Sequence, residues 1–183
     1  MARLKPCPFK AMGQLMTQLK ARCLILACGN TLRRDDGVGP WLAEWAANRF
    51  HSEAGICVVA PQQWTPELAE EIARAESVLF IDSSAESAPG VVKIDSIQPA
   101  ADTEGLATHH LDAAQLLALG RDLYGSSPPN AQLLTIGVGS TELGEEFSGP
   151  VKDALPKACQ LLEAAVLRLL NGSEPSQPVP NRF

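Results

Sequence analysis

No stretch of the sequence approaches the roughly 20 consecutive apolar residues that a membrane-spanning helix requires. Positive charge is also scarce, because 15 Lys and Arg face 21 Asp and Glu and leave a net charge of −6. Aromatic residues make up only 5% of the chain, and no basic segment carries interleaved aromatic side chains, so nucleic acid is not an expected partner. Residues 1–21 are basic but have no continuous apolar centre, which argues against an export signal. We therefore expect a cytoplasmic protein.

The motifs of several large enzyme classes are absent. The five cysteines form no C-x-x-C pair, and an odd number in apolar segments is typical of reduced core residues rather than of disulfides or a zinc site. The chain contains no H-E-x-x-H, G-x-S-x-G or Walker sequence, which disfavours a zincin, an α/β-hydrolase and a P-loop NTPase. With 45% hydrophobic residues, the chain can nevertheless bury a core of ordinary size.

Short apolar runs alternate with segments of helical periodicity along the chain. The predicted strands cover residues 22–28, 55–60, 77–83, 90–97 and 131–138, and the predicted helices cover 39–50, 65–75, 109–124 and 149–170. This alternation predicts a three-layer α/β/α sandwich with a largely parallel, mixed five-stranded twisted sheet. Because the link between the third and fourth strands is too short for a crossover helix, we expect those strands to be antiparallel neighbours.

One domain is expected over residues 22–171. Residues 1–21 then form a basic N-terminal extension, and residues 172–183, which are rich in Pro, Ser and Asn, form a disordered C-terminal tail. Pro156 lacks an N–H and crowds the preceding turn, so it is expected to start, split or kink the last helix.

The loop after the first predicted strand, residues 29–39 (GNTLRRDDGVG), is dense in polar and turn-forming residues. It lacks the G-x-G-x-x-G spacing of a dinucleotide site, and the adjacent Asp35 and Asp36 would repel a pyrophosphate. One of these aspartates can cap the following helix, but a helix has only one N-cap. With Asp35 as the capping member, Asp36 is left for chemistry at the edge of the sheet.

Two further positions carry groups suited to chemistry. Asp82 follows the apolar residues of the third strand, where an ionised carboxylate needs a charged partner, backbone donors or a metal; an Asx-turn into Ser83 is the structural alternative. His109 and His110 lie at the start of a predicted helix capped by Thr108, which favours a neutral imidazole able to bind a metal. Two solvent-exposed histidines are the alternative there.

Ligands of an open α/β sheet bind beyond the carboxyl ends of the strands, and the predicted fold puts Asp36, Asp82 and His109 at that edge. Two carboxylates and one imidazole suit a borderline divalent ion such as Zn²⁺, Ni²⁺ or Mn²⁺. We choose His109 over His110 because adjacent helical residues point about 100° apart, and His110 falls on the apolar face of the predicted helix.

The segment LILACGNTLRRDDGVGPWLAEW resembles the first strand, loop and helix of the [NiFe]-hydrogenase maturation endopeptidases, which carry a G-N-x-L-x-x-D-[DE]-G-x-G pattern there. VLFIDSSAESAPG is similar to the family's third strand with its terminal Asp, and THHLDAAQLLAL to the S/T-x-H start of the next helix. LLTIGVGSTELGEEFSGPVKDALPKA is similar to its last strand and helix. The resemblance covers residues 22–170.

The resemblance implies an endopeptidase that removes the C-terminal extension of a hydrogenase large-subunit precursor after nickel has been inserted. It also implies that Asp36, Asp82 and His109 approach this nickel, which the substrate carries and which serves as a recognition element. These residues are then both metal-binding and catalytic. We expect no tightly bound metal of the protein's own, and we expect a monomer whose partner is the large-subunit precursor.

One segment departs from the family pattern. Many members have an Asp-Gly-Gly-Thr loop after the second strand, whereas this chain has Pro61, Gln62, Gln63 and Trp64. These side chains can provide a hydrogen-bonding and stacking surface for an extended peptide, or Trp64 can pack in the core. Two other functions stay open: a nickel-sensing or docking protein without proteolytic activity, and a metal-dependent aminopeptidase or amidohydrolase whose metal site is permanently occupied.

Overall fold

The computed structural model describes residues 20–101 and 111–172. Its strands are β1 (Cys23–Ala27), β2 (Ile56–Val59), β3 (Ser77–Ser84), β4 (Val92–Ser96) and β5 (Asn130–Gly137), and its helices are α1 (Val38–Arg49), α2 (Leu68–Arg74), α3 (Ala113–Tyr124) and α4 (Gly149–Leu170). Every predicted strand and helix is present, with ends shifted by a few residues. The basic extension and the C-terminal tail lie almost entirely outside the described residues, so the division of the chain stays a prediction.

The five strands form a single sheet in the order β2-β1-β3-β5-β4. β1 pairs in parallel with β2 and β3, β3 pairs in parallel with β5, and β4 runs antiparallel to β5. The predicted mixed, largely parallel sheet is therefore confirmed. Because the parallel strands point the same way, the loops that follow β1, β2, β3 and β5 meet at one edge of the sheet.

The predicted pairing of the third and fourth strands was wrong. β5 lies between them, with Leu134 paired to Ile81 of β3 on one side and to Ile94 of β4 on the other. The exposed Lys93 and Asp95 suit β4 to an edge position, whereas β5 buries more of its side chains. A short link can skip one strand position because neighbouring strands are only about 4.8 Å apart.

Side chains alternate along β1 and divide the core into two layers. Cys23, Ile25 and Ala27 belong to one apolar cluster with residues of α1 and α4, and Leu24 and Leu26 belong to another with residues of α2 and α3. All five side chains are at most 2% exposed, as expected for a parallel strand with helices on both faces. The predicted three-layer α/β/α architecture is therefore confirmed.

α4 continues through Pro156, which neither starts nor splits the helix. An internal proline costs roughly 3 kcal/mol, and the apolar stripe that α4 buries against the sheet offsets this cost. The buried residues of the stripe are Val151, Ala154, Ala158, Leu162, Ala165, Val166 and Leu169. Neither α4 nor any other helix in the described ranges is long and apolar enough to cross a membrane.

Candidate active site

The loop after β1 turns back on itself and brings Asp36 beside the end of the strand. The Arg33 N–H closes its first turn by donating to the Asn30 carbonyl at 2.9 Å, and Arg34–Gly37 forms one turn of 3-10 helix. Gly29 has a φ of 142°, and a Cβ there would lie 2.0 Å from the Asp36 carbonyl oxygen. Glycine is required at this position because no side chain fits such a close approach.

Asp36 is partly buried, and both of its carboxylate oxygens accept hydrogen bonds. Oδ2 accepts from the Asn30 N–H at 2.8 Å within the same loop. Oδ1 accepts from the Ser83 hydroxyl at 2.9 Å, and Ser83 belongs to β3. The second hydrogen bond fixes the loop against the neighbouring strand at the carboxyl edge of the sheet.

Asp82 lies near the carboxyl end of β3, within the strand as predicted. The strand continues to Ser84, and Asp82 pairs with Thr135 of β5. Its Oδ1 accepts from the Ser83 N–H at 2.8 Å and from the Cys28 thiol at 3.1 Å. An Asx-turn bonds the N–H two positions onward, whereas this N–H belongs to the next residue. The Asx-turn alternative was therefore wrong, because pairing with β5 keeps residues 82–84 extended.

Ser83 connects the two carboxylates, since its hydroxyl donates to Asp36 and its N–H donates to Asp82. Within the described part of the chain, every hydrogen-bond donor to these carboxylates is a neutral group: two backbone N–H groups, a hydroxyl and a thiol. The two negative charges therefore have no cationic partner among these contacts. Such a pair attracts a cation.

The surroundings of Asp82 make it more basic than an ordinary aspartate. Burial raises the pKa of Asp82, the hydrogen bonds from Cys28 and Ser83 lower it, and the negative charge of Asp36 adds to the increase. A carboxylate with a raised pKa is a better proton acceptor. Burial and the neighbouring Asp82 also raise the pKa of the Cys28 thiol. Cys28 therefore stays protonated, which suits a hydrogen-bond donor and not a nucleophile.

Asp35 is fully buried and does not cap α1, so the predicted role was wrong. The N-cap of α1 is Gly37, because the 3-10 turn runs directly into the helix and contains Asp35. The Asp35 carboxylate instead accepts four hydrogen bonds, from the N–H groups of Gly139, Ser140 and Ser148 at 2.9, 3.1 and 2.6 Å and from the Ser148 hydroxyl at 2.7 Å. Since Ser148 is the N-cap of α4, Asp35 connects the β1–α1 loop to the β5–α4 loop.

Backbone hydrogen bonds join the same two loops. The Arg34 N–H donates to the Gly144 carbonyl at 2.7 Å, and the Gly144 N–H donates to the Leu32 carbonyl at 2.9 Å. Arg34 has a φ of 44°, which is uncommon for a residue with a side chain and which persists only where the surroundings enforce it. The loop that carries Asp36 is thus fixed on both of its sides.

The start of α3 differs from the prediction. Its N-cap is Asp112, whose side chain accepts from the Gln115 N–H at 2.8 Å while the Gln115 side chain accepts from the Asp112 N–H at 2.9 Å. The prediction of Thr108 as the cap of this helix was wrong, because α3 begins at Ala113 and Asp112 occupies the capping position with a complete capping box.

His109 and His110 lie outside the described residues. Because α3 begins at Ala113, the helical angle no longer distinguishes the two histidines, and the choice of His109 rests on the motif resemblance. Within residues 20–101 and 111–172, no three His, Cys, Asp or Glu side chains are grouped so that they could hold a metal ion. The set of Asp36, Asp82 and His109 therefore stays a prediction.

The loop after β2 buries its aromatic residue. Trp64 is 9% exposed and packs edge-on against Phe80 with ring centroids 5.5 Å apart. The packing alternative therefore holds for Trp64, and its ring does not offer a stacking surface. Gln62 and Gln63 are exposed, so their amides are accessible to a hydrogen-bonding partner.

Sequence reasoning missed three side chains that organise this site. Cys28 was interpreted only as a core residue, and the one feature of its position that indicates more is that it lies between β1 and the polar loop. For Ser83, the corresponding indication is that it is the residue after Asp82 at the end of a predicted strand. Ser148 precedes a Gly-Pro pair in the manner of an N-cap, but no sequence pattern connects it to Asp35.

Solved structures have the same fold. No family model and no curated protein sequence matches the chain. The hydrogenase maturating endopeptidase HybD from E. coli matches with a TM-score of 0.68 at 24% identity, over 80% of this chain and 93% of that one. The [NiFe] hydrogenase maturation protease HycI from Thermococcus kodakarensis KOD1 matches with a TM-score of 0.60 at 24% identity, over 84% of this chain and 95% of that one. The [NiFe] hydrogenase maturation protease HybD from Thermococcus kodakarensis matches with a TM-score of 0.53 at 25% identity, over 78% of this chain and 97% of that one. The resemblance inferred from the motifs is thus confirmed at the level of the fold.

Proposed function

We propose that this protein is an endopeptidase that removes the C-terminal extension of a [NiFe]-hydrogenase large-subunit precursor after nickel insertion, with the nickel as recognition element. Two findings support the proposal together. The chain has the fold of structures named hydrogenase maturation endopeptidases, and its motifs resemble that family at the residues nearest the sheet edge. We expect it to act as a cytoplasmic monomer.

The observation that carries the proposal is the pair of carboxylates, Asp36 and Asp82, joined through Ser83. Their described donors are all neutral, so no cationic side chain among these contacts occupies the pair, and its oxygens still have lone pairs for a cation. A nickel ion in the precursor is such a cation. The enzyme supplies only two or three ligands, so the remaining ligands of the metal come from the substrate. Only a precursor that already contains nickel can then complete the site.

In this mechanism Asp36, Asp82 and His109 bind the substrate nickel and thereby fix the adjacent peptide bond for attack by water. The nickel either polarises the scissile carbonyl or lowers the pKa of a bound water. A carboxylate accepts the proton of the attacking water. The products are the mature large subunit with a new C-terminus and the released extension.

The direct test uses the full-length protein and a [NiFe]-hydrogenase large-subunit precursor encoded in the same genome. We expect intact-mass analysis to show a shortened large subunit and a released peptide when the precursor is nickel-loaded, and no change when it is nickel-free. A stable complex without cleavage would instead support a nickel-sensing or docking protein. Equal cleavage of both precursor forms would contradict nickel as the recognition element.

We also predict that the purified protein retains well under one equivalent of nickel or zinc after dialysis. Stable metal sites in proteins generally use three or four side-chain ligands, whereas here part of the coordination comes from the substrate. Elemental analysis of the protein checks this prediction. One tightly held Zn²⁺ per chain would contradict it and would favour the metal-dependent aminopeptidase or amidohydrolase.

A further inference from the structure

Cys28 places a thiol directly against the carboxylate pair. It is the residue after β1, it is 8% exposed, and it lies in the apolar cluster on the α2 and α3 side of the sheet. Its Sγ is 3.1 Å from Asp82 Oδ1. A small aliphatic side chain would fill this space equally well, so the property that distinguishes cysteine here is its S–H donor.

The thiol acts on one oxygen of Asp82. Oδ1 accepts both the Cys28 S–H and the Ser83 N–H, and two donors on one oxygen restrict rotation of the carboxylate about its χ2 torsion. Both donors act on Oδ1, so the second oxygen, Oδ2, is bonded to neither of them. The thiol is a neutral, weak donor, so it orients the carboxylate without neutralising its charge. Lys or Arg in the same place would neutralise that charge.

We propose that Cys28 is a positioning residue that orients the Asp82 carboxylate toward the metal carried by the substrate. This inference rests on the proposed function and deepens it, because it assigns a role to a residue outside the three metal-contacting positions. Groups that hydrogen-bond to metal-contacting side chains typically change metal affinity or activity by 10- to 100-fold when they are removed.

The kinetic test compares Cys28→Ala, Cys28→Ser and Cys23→Ala under single-turnover and steady-state conditions. Cys28→Ala is expected to lower kcat by about 10-fold with KM within about twofold, and Cys28→Ser, which keeps a donor, is expected to retain at least half of the wild-type kcat. Cys23→Ala is the matched control, because Cys23 is a buried cysteine of β1 and the substitution removes the same side-chain atoms far from the carboxylate end of the strand. Wild-type turnover of Cys28→Ala, or an equal loss in Cys28→Ser, would overturn the inference.

Infrared spectroscopy of the free protein separates this inference from the proposed function. The S–H stretching band that disappears in Cys28→Ala is expected to move to higher frequency in Asp82→Ala, because that variant removes the acceptor of the Cys28 thiol. If the frequency of this S–H band is the same in the wild type and in Asp82→Ala, the inference is overturned even if the wild type cleaves the precursor. A wild type that cleaves no precursor but shows the Asp82-dependent band would overturn the proposed function and confirm the contact.

Discussion

Alanine at position 36 or at position 82 is expected to abolish cleavage of a nickel-loaded large-subunit precursor while leaving the protein folded. Each substitution removes one of two negative charges that face the substrate metal, and a metal contact worth several kcal/mol corresponds to a loss of roughly 10³-fold or more in rate. The donors released at this partly exposed edge can bond to water, so Tm should fall by only about 2 to 4 °C. Intact-mass assays of product formation and thermal melts check both parts.

Two control variants distinguish charge from structure. Asp95→Ala removes an aspartate from an exposed strand position and is expected to cleave at the wild-type rate. Asp36→Asn keeps an acceptor and the side-chain volume but not the charge, and it is expected to be as inactive as Asp36→Ala. Full activity of a folded Asp36→Ala or Asp82→Ala variant would exclude that carboxylate from the reaction. Unfolding of Asp82→Ala would show that its hydrogen bonds are mainly structural.

The same assay addresses the two histidines. We expect His109→Gln to eliminate cleavage and His110→Gln to retain it, because the motif resemblance places only His109 at the metal-contacting position. Equal loss of turnover in both variants, with both still folded, would show that the two imidazoles share the metal or that His109 was the wrong choice.

The sheet was predictable because strand burial is visible in local sequence. Residues 23–27 are apolar at every position, as a central parallel strand requires, and the structure buries all of them. The position of β4 was not predictable from the length of its link. Either β4 or β5 could in principle pair with β3, and the structure pairs β3 with β5. The charged residues Lys93 and Asp95 of β4 favour an edge strand, which leaves the central position beside β3 to β5.

Sequence patterns predicted only those site residues that lie at or just beyond the end of a predicted strand. Asp82 directly follows the apolar residues of one predicted strand and Asp36 lies in the loop after another, so the rule for the carboxyl edge of α/β sheets brings them together. The role of Asp35 could not be found in this way, because its partners Gly139 and Ser148 are 104 and 113 residues away in the sequence. A local rule assigns such an aspartate to the nearest helix N-terminus, whereas in the fold it accepts two hydrogen bonds from the distant loop after β5 and two from Ser148, the N-cap of α4.

Asp35→Ala is expected to have the largest effect on stability. It leaves three backbone N–H groups and the Ser148 hydroxyl without their buried acceptor, and it disconnects the two loops that fix Asp36. We expect the free energy of unfolding to fall by about 3 to 5 kcal/mol, which lowers Tm by roughly 10 °C. Urea denaturation and thermal melts at neutral pH measure this loss.

Ser148→Ala is the graded control for this interaction, because it removes one of the four hydrogen bonds and keeps the Ser148 N–H. Its expected cost is about 1 kcal/mol. Below its own melting temperature Asp35→Ala should still cleave the precursor at a reduced rate, unlike Asp36→Ala, because it displaces the metal-contacting group without removing it. Equal stability of Asp35→Ala and wild type would show that the two loops are held without this carboxylate.

The pH dependence of stability gives an independent measurement of the same group. Burial by itself raises the pKa of Asp35, but the hydrogen bonds from Ser148, Gly139 and Ser140 outweigh it, so the pKa of this carboxyl lies below its ordinary value. A lowered pKa in the folded state means that the stabilisation is complete above the unfolded pKa of about 3.9 and is lost as the pH falls toward the folded pKa. The difference in unfolding free energy between wild type and Asp35→Ala should therefore be constant near neutral pH and should narrow below about pH 4. A difference that stays constant through this acidic range would mean that the protonated and ionised forms of Asp35 are held equally well, which four donors aimed at one carboxylate do not allow.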